Sequence, residues 1–116
     1  MSKNIILDGV EYAPVTQMAK KGDLKYVIVR TYSAGVFAGY LETKKKDEVV
    51  LKQARRIWYW DGAASLSQLA MEGTSKPENC KFPCEVETIT LLGVIEIIHA
   101  TTKAQKSIKA VKIWEK

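Results

Sequence analysis

Residues 54–73 read Ala-Arg-Arg-Ile-Trp-Tyr-Trp-Asp-Gly-Ala-Ala-Ser-Leu-Ser-Gln-Leu-Ala-Met-Glu-Gly, and they contain the junction between a strand and a helix. Because side chains alternate along a strand, Trp58 and Trp60 are expected on one face and Tyr59 on the other. The strand pattern stops at Asp61-Gly62, a pair that is typical of turns. The packing of this strand against the following helix is therefore expected to organise the fold.

The segment after the turn has the apolar i, i+3, i+4 spacing of an amphipathic helix, which predicts a helix over about residues 62–72. Ser65 and Gln68 have the spacing of a capping box, and Asp61 is a second candidate N-cap. Gly73 is placed to end the helix with a positive φ. A helix start offers unpaired N–H groups, so this joint also favours an anionic ligand.

An antiparallel meander is predicted upstream of this junction. Its segments are rich in β-branched and aromatic residues, and small or polar residues separate them. The predicted strands are 25–32, 36–42 and 48–60, joined by turns at 33–35 and 44–47. Gly39 lies inside a strand, which indicates a bulge or the close approach of another backbone or a ligand.

Downstream, residues 74–85 are predicted to form a long loop, and residues 86–100 one or two strands that break at Gly93. The near-continuous apolar run 94–98 is typical of a strand buried on both faces. A short helix over about residues 102–110 follows.

The N-terminal part is predicted to be separate from this domain. Residues 4–14 form a hairpin around Asp8-Gly9, and residues 15–24 form a linker or a weak helix. The expected organisation is thus an N-terminal hairpin and linker over residues 1–24 and one α+β domain over residues 25–116. We expect a strongly bent antiparallel sheet, either open or closed into a barrel, with two short helices.

The composition is that of one globular domain: 116 residues, 47% hydrophobic and 27% charged. No apolar run is long enough to span a bilayer, and the first residues lack the layout of a secretory signal. The sequence therefore predicts a cytoplasmic protein with no membrane contact.

The formal net charge of +5 favours anionic partners, although modestly. Most lysines fall in two clusters that also fit the solvated surfaces of a hairpin and a helix. The first cluster contains Lys44, Lys45, Lys46 and Lys52 beside Arg55 and Arg56, and the second contains Lys103, Lys106, Lys109, Lys112 and Lys116. Arginines differ from lysines because a planar guanidinium binds phosphate through two bonds and stacks on rings.

No pattern in the sequence predicts catalysis or a cofactor. Cys80 and Cys84 have no second pair of ligands with which to bind zinc, so we expect two free thiols and no metal. His99, the one histidine, lies in an apolar run, and no acid–base pair is recognisable. We therefore expect a binding protein without a cofactor and not an enzyme.

Two sets of residues combine arginines, aromatic rings and small residues, which suits a ligand with a ring and a phosphate. The candidate binding residues are Arg30, Tyr32, Ser33, Ala34, Gly35 and Phe37 in the first set, and Arg55, Arg56, Trp58, Tyr59, Trp60 and Ser65 in the second. A well-packed strand–helix corner would use the same residue types, and the tryptophans are expected to be at least partly in the core. Both interpretations remain open at this point.

Three blocks resemble a small family found mostly in bacteriophage and prophage genomes, known largely as a domain of unknown function. They are residues 29–39, residues 54–73, and Val-Ile-Glu-Ile-Ile at 94–98 followed by Thr101. The resemblance covers about residues 25–115 and leaves the N-terminal hairpin outside. Small phage proteins of this kind include sponges, which bind cyclic nucleotide immune signals and so blunt host defences of the CBASS or Thoeris type.

The resemblance implies a phage anti-defence protein that acts in the cytoplasm of the infected bacterium. It would sequester a cyclic di- or oligonucleotide, or a signal of the cyclic ADP-ribose type, without cleaving it, and as a homodimer or larger homo-oligomer. The alternatives are a basic phage accessory protein that binds nucleic acid and a virion or scaffold component without a ligand. The family does not assign the ligand residues, so the candidates above come from the residues alone.

Overall fold

The computed structural model describes the backbone of residues 5–7 and 10–12, and residues 17–116 in full. The strands are β1 (Ile5–Leu7), β2 (Val10–Tyr12), β3 (Lys20–Lys21), β4 (Leu24–Thr31), β5 (Val36–Lys45), β6 (Glu48–Arg56), β7 (Glu85–Leu91) and β8 (Val94–His99). The helices are α1 (Leu66–Glu72) and α2 (Thr102–Ala110), and a single 3-10 turn covers Pro77–Asn79. The fold is α+β, as the sequence predicts.

The predicted meander forms the centre of a six-stranded sheet in which β4, β5, β6 and β7 are neighbours in that order. The bulge predicted at Gly39 is present, because the pairing of β5 with β6 shifts register between Ala38 and Tyr40. A Cβ atom on Gly39 would lie 3.0 Å from both the Cα of Ala54 and the carbonyl oxygen of Lys52. Glycine is therefore required here because another backbone passes close by.

The sheet is bent so strongly that its two outer strands meet at one corner. β8 pairs with β4 on the side away from β5, so in a flat sheet β7 and β8 would lie about 19 Å apart. Only Leu92-Gly93 joins them, and a link of that length spans about 11 Å at most. No pairing joins β7 to β8, so the sheet is open and the alternative of a closed barrel is wrong.

Alternation along the central strands separates the buried side chains into two clusters, one on each face of the sheet. The first cluster packs under both helices and includes Tyr26, Ile28, Ile57, Leu69, Phe82, Ala104 and Ile108. The second fills the inside of the bend and includes Val27, Val29, Phe37, Val49, Leu51, Ala54 and Leu91. β4 and β5 both contribute to the two clusters, so these central strands connect the two faces.

The structure corrects two predictions. Within residues 17–24, β3 pairs with β4 and Ala19 is buried, so this segment belongs to the main sheet and is not a linker or a weak helix. The run 94–98 is not buried on both faces, since Ile95 is 52% exposed. In the predicted hairpin, β1 pairs antiparallel with β2, and the turn residues Asp8-Gly9 lie outside the described residues.

Side-chain caps start both helices. The hydroxyl of Ser65 accepts a bond from the N–H of Gln68 (3.2 Å), as the capping box predicts, so Asp61 is not the N-cap. The hydroxyl of Thr101 accepts the N–H of Ala104 (3.0 Å) and donates to the carbonyl of Met71 (2.7 Å). The second cap therefore also joins α2 to the end of α1.

Replacing Thr101 with valine should lower the free energy of unfolding by about 1–2 kcal/mol, because it removes a cap and leaves buried polar groups without partners. Thr101 is 1% exposed, so water cannot replace the lost bonds. Urea unfolding measures this change. Ser65, the exposed N-cap of α1, provides the control. Ser65→Ala should lower the free energy of unfolding less than Thr101→Val does, and equal losses would contradict the role of burial.

Candidate ligand-binding site

Three segments that are distant in sequence lie side by side where β6 ends. Tyr59 and Lys81 exchange two backbone hydrogen bonds, of 3.3 and 2.8 Å. The backbone N–H of Trp114 donates to the carbonyl of Phe82 (3.0 Å), which brings the C-terminal segment to the other side of the same loop. Residues 58–60, 81–82 and 113–114 therefore lie side by side.

An exposed aromatic surface is built at this place, and we call Trp58, Tyr59, Lys81 and Trp114 the aromatic platform. The rings of Trp58 and Trp114 stack with centroids 4.9 Å apart and planes 18° from parallel. The Nζ atom of Lys81 lies 5.5 Å from the centroid of Trp58, 5.9 Å from that of Tyr59 and 5.7 Å from that of Trp114. The platform thus offers a cation beside flat rings.

The platform is open to solvent instead of being part of the core. Trp58 is 58% exposed, Tyr59 49% and Trp114 41%. Lys81 has no ion pair among residues 17–116, so its charge is available to a ligand. Stacked tryptophans that remain this exposed are unusual for a packing role, because large rings contribute most to stability when they are buried.

A groove of about 450 Å³ borders Trp114. Its lining residues are Pro77, Glu78, Cys80, Lys112, Ile113, Trp114 and Glu115. The charges in this groove are mixed, so the groove does not select an anion by itself. Lys81, which has no ion pair among residues 17–116, lies on the platform close to the rings.

Most of the first predicted set also forms a local structure together with Arg56 from the second set. We call it the turn site and define it as residues 32–35 with Phe37 and Arg56. Gly35, in the predicted turn, has a φ of 100°. The Nη1 atom of Arg56 donates to the carbonyl of Ala34 (2.8 Å), and its guanidinium carbon lies 4.3 Å from the ring centroid of Phe37. Phe37 is buried, so it supports Arg56 and presents no ring to a ligand.

Two backbone N–H groups of the turn already have partners within the protein. The N–H of Ala34 donates to the hydroxyl of Thr31 (2.8 Å), and the N–H of Tyr32 donates to the carbonyl of Gly93 (2.8 Å). The side chain of Tyr32 is 84% exposed, and Ser33 is exposed beside it. Contacts to a ligand at the turn would therefore come mainly from side chains.

Arg56 connects the turn site to the platform. Ile57 is 2% exposed, whereas Arg56 and Trp58 on either side of it are exposed. The alternation of buried and exposed side chains therefore continues beyond the end of β6 as far as Trp58. Two residues of extended chain span about 7 Å. A ligand of nucleotide size can therefore reach both Arg56 and Trp58.

Arg55 has a different environment, and the structure removes it from the candidate binding residues. Its guanidinium donates to the carbonyls of Pro83 (2.9 Å), Ile108 (2.8 Å) and Phe82 (3.0 Å). The residue is 3% exposed, and burial lowers the pKa of its guanidinium. Because Ile108 lies in the last turn of α2, Arg55 ties that helix end to the sheet.

Three other predicted residues have structural partners. Trp60 is half-buried, and its Nε1 donates to the carbonyl of Ala63 (3.3 Å). The hydroxyl of Ser65 caps α1, which has only seven residues. Arg30 forms an ion pair with Glu96, with Nε 3.2 Å from the carboxylate. These three residues are less available to a ligand than Arg56, Trp58 and Tyr59.

Asp61 holds the loop that follows α1 against the platform strand. One carboxylate oxygen accepts the side-chain amide of Asn79 (2.9 Å) and the other accepts the N–H of Gly62 (2.8 Å). These two bonds stabilise the charged form and lower the pKa of Asp61. Asp61 is thus a loop anchor that helps to place Lys81 beside Tyr59.

Among the described residues, no group of three or more His, Cys, Asp and Glu side chains could hold a metal ion. Both cysteines are free thiols, with Cys80 buried and Cys84 exposed. In the described part of the chain, no helix has the length and apolar character needed to cross a bilayer.

Lys81 and Trp114 are platform residues that are not among the candidates predicted from the sequence. Lys81 lies between the two cysteines, and Trp114 lies four residues beyond the second predicted helix. Exposed aromatics near lysines were the available signal, but the pairing of residues 81–82 with residues 113–114 is not visible in sequence.

A family model described as a domain of unknown function, DUF6948, matches residues 24–108. The match agrees with the sequence resemblance to a family of unknown function, and it leaves Trp114 beyond its end. Neither the curated proteins nor the solved structures contain a match to the chain.

Proposed function

We propose that this chain, which belongs to the family DUF6948, a domain of unknown function, binds a nucleotide without converting it. The observation that carries this proposal is the exposed Trp58–Trp114 stack with Lys81 beside it. Flat rings bind bases by stacking, and a free ammonium binds phosphate. Arg56, two residues before Trp58 and thus within about 7 Å of it along the chain, supplies a second cation.

The finer proposal is that the nucleotide is a cyclic immune signal and that the protein is a phage anti-defence sponge. Its support is the resemblance to a phage and prophage family together with a site that offers rings and cations but no acid–base pair. A sponge acts by holding its ligand away from the host receptor, so slow release matters more than chemistry. The same proposal places the protein in the cytoplasm of the infected cell.

The test is retention of intact ligand. The purified protein is incubated with a panel of cyclic di- and trinucleotides and cyclic ADP-ribose, washed, and then unfolded by heat. We expect one class of compound to be released unchanged, as identified by mass spectrometry. Linear or hydrolysed products would instead show an enzyme, and retention of none of the compounds would refute the proposal.

Single-stranded nucleic acid is the second candidate ligand, because stacking platforms flanked by cations also bind unpaired bases. The formal net charge of +5 favours this alternative. Salt distinguishes the two candidates. Affinity for a strand that contacts many phosphates falls steeply with salt concentration, whereas affinity for a small cyclic ligand that contacts Lys81 and Arg56 should fall much less.

A further inference from the structure

We propose that the protein is a homodimer in which β8 pairs antiparallel with β8 of a second copy. Among the strands that the structure describes, only β4 is bonded to β8. At the start of β8 the N–H of Val94 donates to the carbonyl of Asp47 in the turn between β5 and β6 (2.9 Å), so the open part of this edge begins after Val94. Such an edge presents unpaired N–H and C=O groups and is a template for pairing with another chain. The proposal does not depend on the ligand.

The hydrogen-bond pattern shows which groups of β8 point outward. The N–H of Ala100 donates to the carbonyl of Tyr26 (2.9 Å), in the register that places Ile98 opposite Ile28. Because alternate residues of an antiparallel strand bond to the same neighbour, Ile98 and Glu96 also bond toward β4. The pairing with β4 shifts register between Arg30–Glu96 and Thr31–Val94, so Ile95 lies at a bulge. The groups that point away from β4 belong to Ile97, His99 and, at the bulge, Ile95.

The two outer strands of the sheet differ in how they are protected. β7 carries exposed Glu85 and Glu87, and charges on an edge strand oppose pairing with another chain. β8 carries one acid, Glu96, and its carboxylate is already paired with Arg30 at 3.2 Å. β8 is therefore the edge that favours a partner.

An apolar patch continues from this edge. Ile95 is 52% exposed, Leu92 66% and Tyr32 84%. The N–H of Tyr32 donates to the carbonyl of Gly93 (2.8 Å), which places Tyr32 directly beside the turn that contains Leu92. Exposed apolar side chains that adjoin an open edge mark a surface that another protein covers.

The sequence of β8 selects one register for the pair. With the two-fold axis at Ile97, each Ile97 faces its counterpart, Ile95 faces His99, and Glu96 faces Ile98. With the axis at Glu96, two carboxylates would lie directly opposite each other, which is unfavourable. Centring on Ile97 also brings all three outward residues into the ladder. A second copy thus fits this edge with apolar contacts and without repulsion between acids.

The mass in solution tests the proposal, by light scattering on the full chain. The wild type should have twice the mass of one chain. Ile95→Lys should raise the dissociation constant by at least about tenfold, because it places a lysine in each copy at the pairing edge. Val86→Lys is the matched control, since Val86 is 41% exposed on the opposite edge strand, and it should leave the dimer intact.

A cross-link tests the register and remains informative if Ile95→Lys fails to fold. In a Cys84→Ser background, Ile97→Cys should form a disulfide-linked dimer on mild oxidation, because opposite residues in such a pair lie about 5.5 Å apart, within disulfide reach. Val86→Cys in the same background should not. A monomeric wild type, a folded Ile95→Lys dimer, or a dimer that gives no Ile97 cross-link would each overturn the proposal. So would a dimer that is lost only when residues 1–16 are removed, since the N-terminal hairpin would then be the contact.

Discussion

Replacing Arg55 with alanine is expected to lower the free energy of unfolding by about 3–5 kcal/mol, because a buried charge with three hydrogen bonds is removed and its acceptors lose their partner. Three carbonyls, of Phe82, Pro83 and Ile108, accept bonds from this guanidinium at 2.8–3.0 Å. Alanine fills little of the space, so the carbonyls stay buried and unpaired. Urea unfolding at pH 7, followed by tryptophan fluorescence, measures the change.

The adjacent arginine is the matched control for this prediction. Arg56 is exposed and donates one bond, to Ala34, so Arg56→Ala should cost only about 1 kcal/mol. The stability loss of Arg55→Lys should lie between those of the two alanine variants, since an ammonium keeps the charge but cannot form the same set of hydrogen bonds. Equal costs for the two alanine variants would contradict the structural role of Arg55. So would an Arg55→Ala variant of normal stability.

The two arginines also show what the sequence could predict of the site. Both have the chemistry that binds phosphate, and alternation along β6 places them on opposite faces. Which of the two arginines is buried depends on where α2 ends, because the carbonyl of Ile108 is one of the acceptors that surround Arg55. That contact joins residues 53 positions apart, so no local pattern reveals it.

The fold was predictable wherever short-range patterns determine it. The meander, the turn at Gly35, the bulge at Gly39 and the cap at Ser65 each follow from local residue types. β3 was missed because Lys20-Lys21 has no strand pattern of its own and pairs through the backbone. The exposure of β8 was missed because an apolar run predicts burial, and the number of layers that cover a strand is a tertiary property.

The platform and the β8 edge lie on different elements, so binding and association can be separated by mutation. Ile95→Lys should weaken the dimer and leave Trp58, Lys81 and Trp114 in place, so the variant can be studied as a monomer at low concentration. If the monomeric variant retains the ligand, the site is complete within one chain. If the folded variant releases the ligand, the site requires the second copy, which is the result expected for a pocket between subunits.

Removing either stacked tryptophan should weaken the binding of the retained nucleotide by about 5- to 150-fold, since stacking on a base contributes about 1–3 kcal/mol. Trp58→Ala and Trp114→Ala should both have this effect, because the two rings stack with centroids 4.9 Å apart. Lys81→Gln should weaken binding as well and should reduce its dependence on salt. Calorimetric titration with the compound identified in the retention experiment measures all three variants.

The exposure of these side chains makes the result interpretable. Trp58 and Trp114 are 58% and 41% exposed, so their removal should change the melting temperature little. Trp58→Phe keeps a ring and should restore part of the affinity. Met71→Ala, at a side chain on α1 that is 45% exposed, controls for loss of apolar surface and should bind normally. If both tryptophan variants bind as the wild type does, the ligand does not use the aromatic platform, and the turn site around Arg56 becomes the surface to mutate next.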